Sequence, residues 1–433
     1  MVRCCKQSYT EYLQDSQIKN LRLYKYAAVD KSPITKYILR PYWDFAITLF
    51  PRWIAPNLIT LIGLFFMVFN VILAYIFVPD LGTEGPSWVY FSFALGLWLY
   101  STFDNVDGRQ ARRTNTSSPL GELFDHGCDA INCTYVSLLQ AAALGLGHSV
   151  SAALLLYFTI AGFYLSTAEE YYTGVLYLGY VNGPTEGIIV SCLAFIWSGL
   201  YGPASWHTPV SEVSYLSWTS SFLASETSFA DVFVYGLIFF FVTTQLPVSV
   251  IAIVRASRKK GMSPSRELIR VFGPFISCTV IVYLWLTSRG TRIFVDQHFI
   301  LFSIFVGFLF GEMASDIILA HLTKSAFPKF KSIFYSLSIG LVFSFLGYLH
   351  IDYPEYQLLV VLSIFTILRY LIRAKAVIDA FCNFLGIQCF TIPPSKYVEN
   401  ILPTHVGSDD EQEVEALLVN EQSIPQEQEY RTF

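Results

Sequence analysis

Apolar runs of membrane-spanning length recur along the chain at residues 56–79, 88–104, 125–147, 150–166, 186–203, 231–254, 268–287, 298–320, 332–350 and 357–374. A helix rises about 1.5 Å per residue and needs about 20 apolar residues to cross a bilayer core, so the pattern predicts an all-α polytopic membrane protein of about ten transmembrane helices. Several runs fall short of the ideal length or carry polar residues, which leaves their boundaries soft. Ahead of the first run, residues 36–50 mix Lys36 and Arg40 with Tyr42 and Trp43. Basic and aromatic side chains together suit the headgroup layer, which predicts an amphipathic helix lying on the membrane surface.

Basic residues gather in alternate loops. They stand in the N-terminal arm, at Arg109, Arg112 and Arg113, from Arg255 to Lys260, from Lys324 to Lys331, and at Arg369, Arg373 and Lys375 by the last run, whereas the stretch 202–230 has none. Positive charge is retained on the cytosolic side, so both termini are expected there. Composition agrees with the pattern: 54% of the 433 residues are hydrophobic and 14% charged, against about a quarter charged in soluble domains. A string of soluble domains is thereby excluded. The net charge of −5 carries little, because the acids collect in the tail at 408–433, read as a disordered extension. The eight cysteines lack the paired spacing of a zinc site, and reduced, packing thiols are expected. Cys4 and Cys5 are read as part of a frayed terminus, and the first apolar run as an uncleaved membrane signal.

Against this background residues 103–133 place four aspartates, a glutamate, a histidine and three arginines between two apolar runs. Charge beside a bilayer is costly unless paired or bound to a metal, which makes the stretch the functional candidate. If the second helix continues past Thr102, Asp104, Asp107, Gly108 and Ala111 share one face, with Arg112 near enough to meet a phosphate. Ser118 and Pro119 form a helix start signal. On the helix that follows, Gly121, Asp125 and Asp129 recur every four residues, and Glu122 and His126 form a pair at i and i+4. Two facing helices would then surround a hard cation with four carboxylates, a donor set suited to Mg²⁺ or Mn²⁺ rather than zinc. Two such ions about 4 Å apart would clamp a diphosphate. A salt-bridge network with Arg109, Arg112 and Arg113 would balance the charge but leaves the small residues unexplained.

The spacing D-x2-D-G-x2-A-R-x8-G-x3-D-x3-D, from Asp104 to Asp129, resembles the signature of the CDP-alcohol phosphotransferase family. The resemblance extends to its eukaryotic choline and ethanolamine branch, and most to fungal and plant members, through LRLYKY at 21–26, APNLIT at 55–60, ARRTNTSSPLGELFDHGCD at 111–129 and YLGYVNGPTEG at 177–187. It implies that Asp104, Asp107, Asp125 and Asp129 hold two Mg²⁺ or Mn²⁺ ions, and that Gly108, Ala111, Arg112 and Gly121 cradle the CDP moiety. Asn57 is a further nucleotide contact unless it only caps its helix, and Glu186 a residue of the donor pocket. The implied reaction moves phosphocholine or phosphoethanolamine from CDP-choline or CDP-ethanolamine to diacylglycerol and releases CMP. A base must take the hydroxyl proton. Asp129 is the family candidate, but a carboxylate bound to a cation is a weak base, whereas His126, with Glu122 to orient it, titrates near neutrality. Both remain open.

The reading divides the chain into a cytosolic arm with its interfacial helix (1–50), a catalytic membrane core (51–203), further membrane helices for lipid access and dimer support (204–376) and a cytosolic tail (377–433). A homodimer in the endoplasmic reticulum or Golgi, with its site facing the cytosol and no nucleic-acid partner, is expected from the resemblance. The rivals are another CDP-alcohol specificity and an ion-coupled transporter; the latter would scatter acids at mid-membrane depth across several helices.

Overall fold

The computed structural model describes residues 13–179, 184–212, 224–348 and 354–393. Cys4, Cys5 and the acidic tail at 408–433 lie outside the described residues. Ten long helices stand where the apolar runs do: α1 (Pro56–Phe77), α2 (Ser87–Arg113), α3 (Pro119–Ala143), α4 (Val150–Thr173), α5 (Pro184–Tyr201), α6 (Phe229–Lys259), α7 (Pro264–Thr287), α8 (Phe299–Leu322), α9 (Lys331–Tyr348) and α10 (Glu355–Leu385). Seven of them, all but α2, α3 and α9, are long and apolar enough to cross a membrane, and α9 is a shorter apolar helix. The exceptions α2 and α3 carry the charged stretch on their facing ends.

Local chemistry accounts for these boundaries. Ser118 accepts the Gly121 N–H at 3.3 Å and Pro119 opens α3, as the start signal implied. At its far end α4 stops at Gly174, whose φ of +80° lies in the left-handed region that glycine adopts without steric cost. Extending to Thr173, α4 runs beyond the apolar stretch that predicts it and brings Glu169 and Glu170 into the bundle. Helix α6 contains a π-helical segment at Phe241–Gln245.

Burial is uneven. Buried residues make up 78% of the apolar stretch of α8 but 11% of that of α6, so α8 is central and α6 peripheral although α6 is the more apolar. Helix α8 packs against α3 and α4. It comes close because a Cβ at Gly307 would collide with the Thr134 side chain and one at Gly311 with Ile131. The six described cysteines are free thiols.

The arm is helical from Thr35 to Leu49, over nearly the span expected, with Leu39, Trp43 and Ala46 packed inward and Tyr37, Ile38, Phe45 and Leu49 exposed. It also holds the one sheet among the described residues, an element absent from the sequence reading. Strand β1 (Ala28–Asp30) pairs in parallel with β2 (Leu176–Leu178), directly after α4. Three residues are too few to show a period of two, so the pairing has no signal in the hydrophobic pattern.

Candidate active site

The charged ends of α2 and α3 meet beside the start of α1. Asp104 on α2 and Asp125 and Asp129 on α3 each present a carboxylate oxygen within 4.8 Å of the others, and all three are half-buried. Asp107 is buried and turned towards α1, where it accepts the hydroxyl of Thr60. Asp129 accepts the Tyr100 hydroxyl. Oδ1 of Asp104 and Oδ1 of Asp125 are buried without a hydrogen-bond partner. Orphaned carboxylate oxygens converging on one point are costly unless a cation satisfies them, and all-oxygen donors fit Mg²⁺ or Mn²⁺.

The arginines do not neutralise this group. Arg109 pairs with Asp44 of the arm at 3.0 Å, and Arg113 donates to the carbonyls of Ile47 at 2.8 Å and Phe50 at 2.5 Å. Both tie α2 to the arm rather than to the aspartates, so the salt-bridge alternative loses two of its three partners. Arg112 is exposed, its guanidinium makes no hydrogen bond among the described residues, and its charge acts on Asp107. A Cβ at Gly108 would lie 3.6 Å from Nη1 of Arg112, which leaves that face open beside the guanidinium. Ala111 stands one turn beyond Asp107, its carbonyl engaged by the Thr116 N–H at 2.9 Å. A Cβ at Gly121 would come 3.8 Å from Oδ1 of Asn57, so those two residues adjoin. Asn57 is buried, and its Nδ2 reaches Sγ of Cys389 at 3.5 Å. Glu186 accepts the hydroxyl of Ser32 of the arm, and its Oε2 is buried without a hydrogen-bond partner.

His126 and Glu122 are both buried on α3, but the structure pairs them differently from the i, i+4 expectation. Oε2 of Glu122 accepts the hydroxyl of Tyr24 at 2.7 Å. The carboxylate beside the His126 ring belongs to α4: Nδ1 stands 3.7 Å from Oε2 of Glu170. Burial first, and then the Glu122 carboxylate, push the Tyr24 phenol well above its usual range, so it stays protonated and donates. A second group of possible metal ligands, Glu122, Glu170 and His321, is buried next to the first, its ligand atoms within 4.8 Å of one another.

Thr60, Tyr100, Tyr24, Glu170 and His321 escaped the sequence reading. Glu169-Glu170 carried the clearest signal, since adjacent acids beside an apolar run are costly, but they lie just beyond the run at 150–166. Tyr24 sits in the LRLYKY block with nothing local to mark it as a donor.

Fold and site together define a helical membrane protein whose inner helices bring together acidic side chains that could hold a cation. Comparison with known proteins narrows the class. Residues 53–243 match the family described as CDP-alcohol phosphatidyltransferase. The chain is 36% identical to cholinephosphotransferase 1 of Saccharomyces cerevisiae over 348 residues, which is 79% of this chain and 87% of that protein. Against choline/ethanolaminephosphotransferase 1 of Arabidopsis thaliana the identity is 34%, over 88% of this chain and 98% of the relative. Ethanolaminephosphotransferase 1 of Mus musculus is 31% identical, over 73% of this chain and 79% of its own length. The chain belongs to the CDP-alcohol phosphatidyltransferase family.

Proposed function

We propose that the protein transfers phosphocholine, phosphoethanolamine or both from the CDP-alcohol to the free hydroxyl of 1,2-diacylglycerol, yielding phosphatidylcholine or phosphatidylethanolamine and CMP. The observation that carries this reading is the convergence of Asp104, Asp125 and Asp129, the first two with unpartnered oxygens, in a chain whose relatives are named for choline and ethanolamine phosphotransfer. Asp104, Asp107, Asp125 and Asp129 would hold two Mg²⁺ or Mn²⁺ ions, which when bound neutralise the diphosphate and stabilise the leaving CMP.

The remaining work falls to side chains of this chain. Arg112, exposed beside Gly108, meets a phosphate of the donor, and the open face of Gly108 and Ala111 admits the nucleotide against the backbone. Asn57 and Gly121 adjoin at the opposite wall and supply a second contact to the nucleotide. Glu186 shapes the donor side through the arm. His126, with Glu122 one turn before it, takes the proton of the acceptor hydroxyl; Asp129 is the alternative base. The acceptor oxygen bonds to the phosphorus carrying the alcohol, the bond from that phosphorus to CMP breaks, and CMP leaves with the electron pair.

Ten transmembrane helices with both termini cytosolic put this site at the cytosolic edge, where a water-soluble donor and a lipid acceptor can meet. The exposed apolar side of the arm helix suits the membrane surface. Residues 51–203 form the catalytic core in this reading, and 204–376 serve lipid access and homodimer contact, in the endoplasmic reticulum or Golgi. The test is CMP release by the purified protein in diacylglycerol vesicles, with CDP-choline and CDP-ethanolamine in competition and Mg²⁺ supplied or chelated. Metal-dependent CMP and phospholipid formation is expected. Ion or solute flux without CMP would instead favour a transporter.

A further inference from the structure

The buried carboxylate beside His126 has no part in the mechanism above. It comes from Glu170 of α4, and both partners are nearly enclosed, with side-chain exposures of 10% for His126 and 6% for Glu170. Enclosure matters because an imidazole with no fixed partner can turn or change tautomer, and only one of its nitrogens can face a reacting hydroxyl. Glu122 is engaged elsewhere, by the hydroxyl of Tyr24.

The setting of Glu170 accounts for its ability to stay in place. It lies with Glu122 and His321 in one tight group, and two carboxylates at that separation repel unless positive charge is near. Lys324, just beyond α8, is close enough for its charge to act on both. Oε2 of Glu122 is held by Tyr24, while its Oε1 is buried without a hydrogen-bond partner. Helices α3, α4 and α8 each contribute, so the Glu170 carboxylate is anchored by the packing of the bundle core.

We propose that Glu170 is the positioning residue for His126. It accepts from Nδ1–H and thereby leaves Nε2 unprotonated and directed at the acceptor hydroxyl, in the manner of a carboxylate that orients a catalytic imidazole. The separation of 3.7 Å is longer than a direct hydrogen bond. Such contacts close, or are bridged by one water, when substrate fills the site. The assignment rests on His126 being the base, and its test keeps the two apart.

Full-length protein in diacylglycerol vesicles is assayed with CDP-choline and Mg²⁺, alongside donor binding and thermal stability. Glu170→Ala is expected to lower kcat by about 10- to 100-fold, part of the range for general-base catalysis, with both KM values, donor binding and melting temperature close to those of the unaltered protein. Glu170→Gln keeps one acceptor oxygen and should recover part of the loss; it also serves should the alanine variant fold poorly. In a His126→Ala background, either change should cost less than about 2-fold, because residues acting as a unit are non-additive. Full turnover in both Glu170 variants beside an inactive His126→Ala overturns the positioning role alone. So does a Glu170 loss that is undiminished in the His126→Ala background. Full turnover in His126→Ala overturns the base assignment and the role of Glu170 with it.

Discussion

Two of the buried charge groups in this helical bundle, one between α8 and α10 and one between α2 and α3, solve the same problem in opposite ways. Between α8 and α10, Glu312 takes hydrogen bonds from Arg369 and from Arg373 at 3.2 Å, while Arg373 also pairs with Asp316. Two acids and two bases close on one another, and the group fastens the central helix to the last one. Between α2 and α3 the acids have no such partners, because Arg109 and Arg113 are drawn off to the arm. A paired group in the membrane serves the fold, whereas an acidic group whose neighbouring arginines turn away is suited to hold cations from outside, and that contrast marks the candidate site.

The strongest way to break this contrast is to remove one carboxylate. Asp104→Ala should lower metal-dependent CMP release by about 1000-fold or more, since the loss falls on transition-state charge. With Mg²⁺ removed by chelation, the same variant should melt no lower than the unaltered protein, because one repelling charge is gone. A large fall in its melting temperature without metal would mean the aspartates hold the fold together. The opposite is expected across the bundle, where Glu312→Gln leaves two arginines short of a counter-charge and should cost about 3–5 kcal/mol. Denaturation in detergent reads that loss; an unchanged midpoint would deny the network its structural role.

Added Mg²⁺ sharpens the comparison further. It should raise the melting temperature of the unaltered protein, by mass action on the folded state, and should do so far less in Asp125→Ala. Glu312→Gln should keep the full Mg²⁺ response. Smaller again is the split between neighbouring arginines: Arg112→Ala should raise the KM for the CDP-alcohol by about 10-fold, as expected for one charge-assisted phosphate contact, and Arg109→Ala by much less. The mildest change is Tyr24→Phe, which removes a hydrogen bond worth about 1 kcal/mol and should cost only a few-fold in turnover. Equal KM values for the two arginine variants would mean that Arg112 does not face the donor.

The contrast also explains what could be read in advance. Asp104, Asp107, Asp125 and Asp129 were legible because two aspartates on each helix, three or four residues apart, must share a face at 3.6 residues per turn. The cap at Ser118 and the presence of the long described helices, though not all their ends, were legible for the same reason, each depending on neighbours within a turn or on a run of apolar residues. Inter-helix partners were not. Asp107 turns to Thr60 rather than joining the tight cluster, and His126 meets Glu170 of α4 rather than its own-helix neighbour Glu122. Periodicity says which face a residue occupies, not which helix that face will meet.

By itself, then, the sequence determined a helical membrane protein with a carboxylate site on its second and third helices, because helix length, helix face and helix start are local properties. Only the tertiary structure decided that α8 lies at the centre, that the arm reaches back through Tyr24 and β1, and that Glu170 and His321 flank the site. Those contacts join segments about 50 to 200 residues apart. They are set by which surfaces pack closely, as at Gly307 against Thr134, and by where buried charge can find its complement.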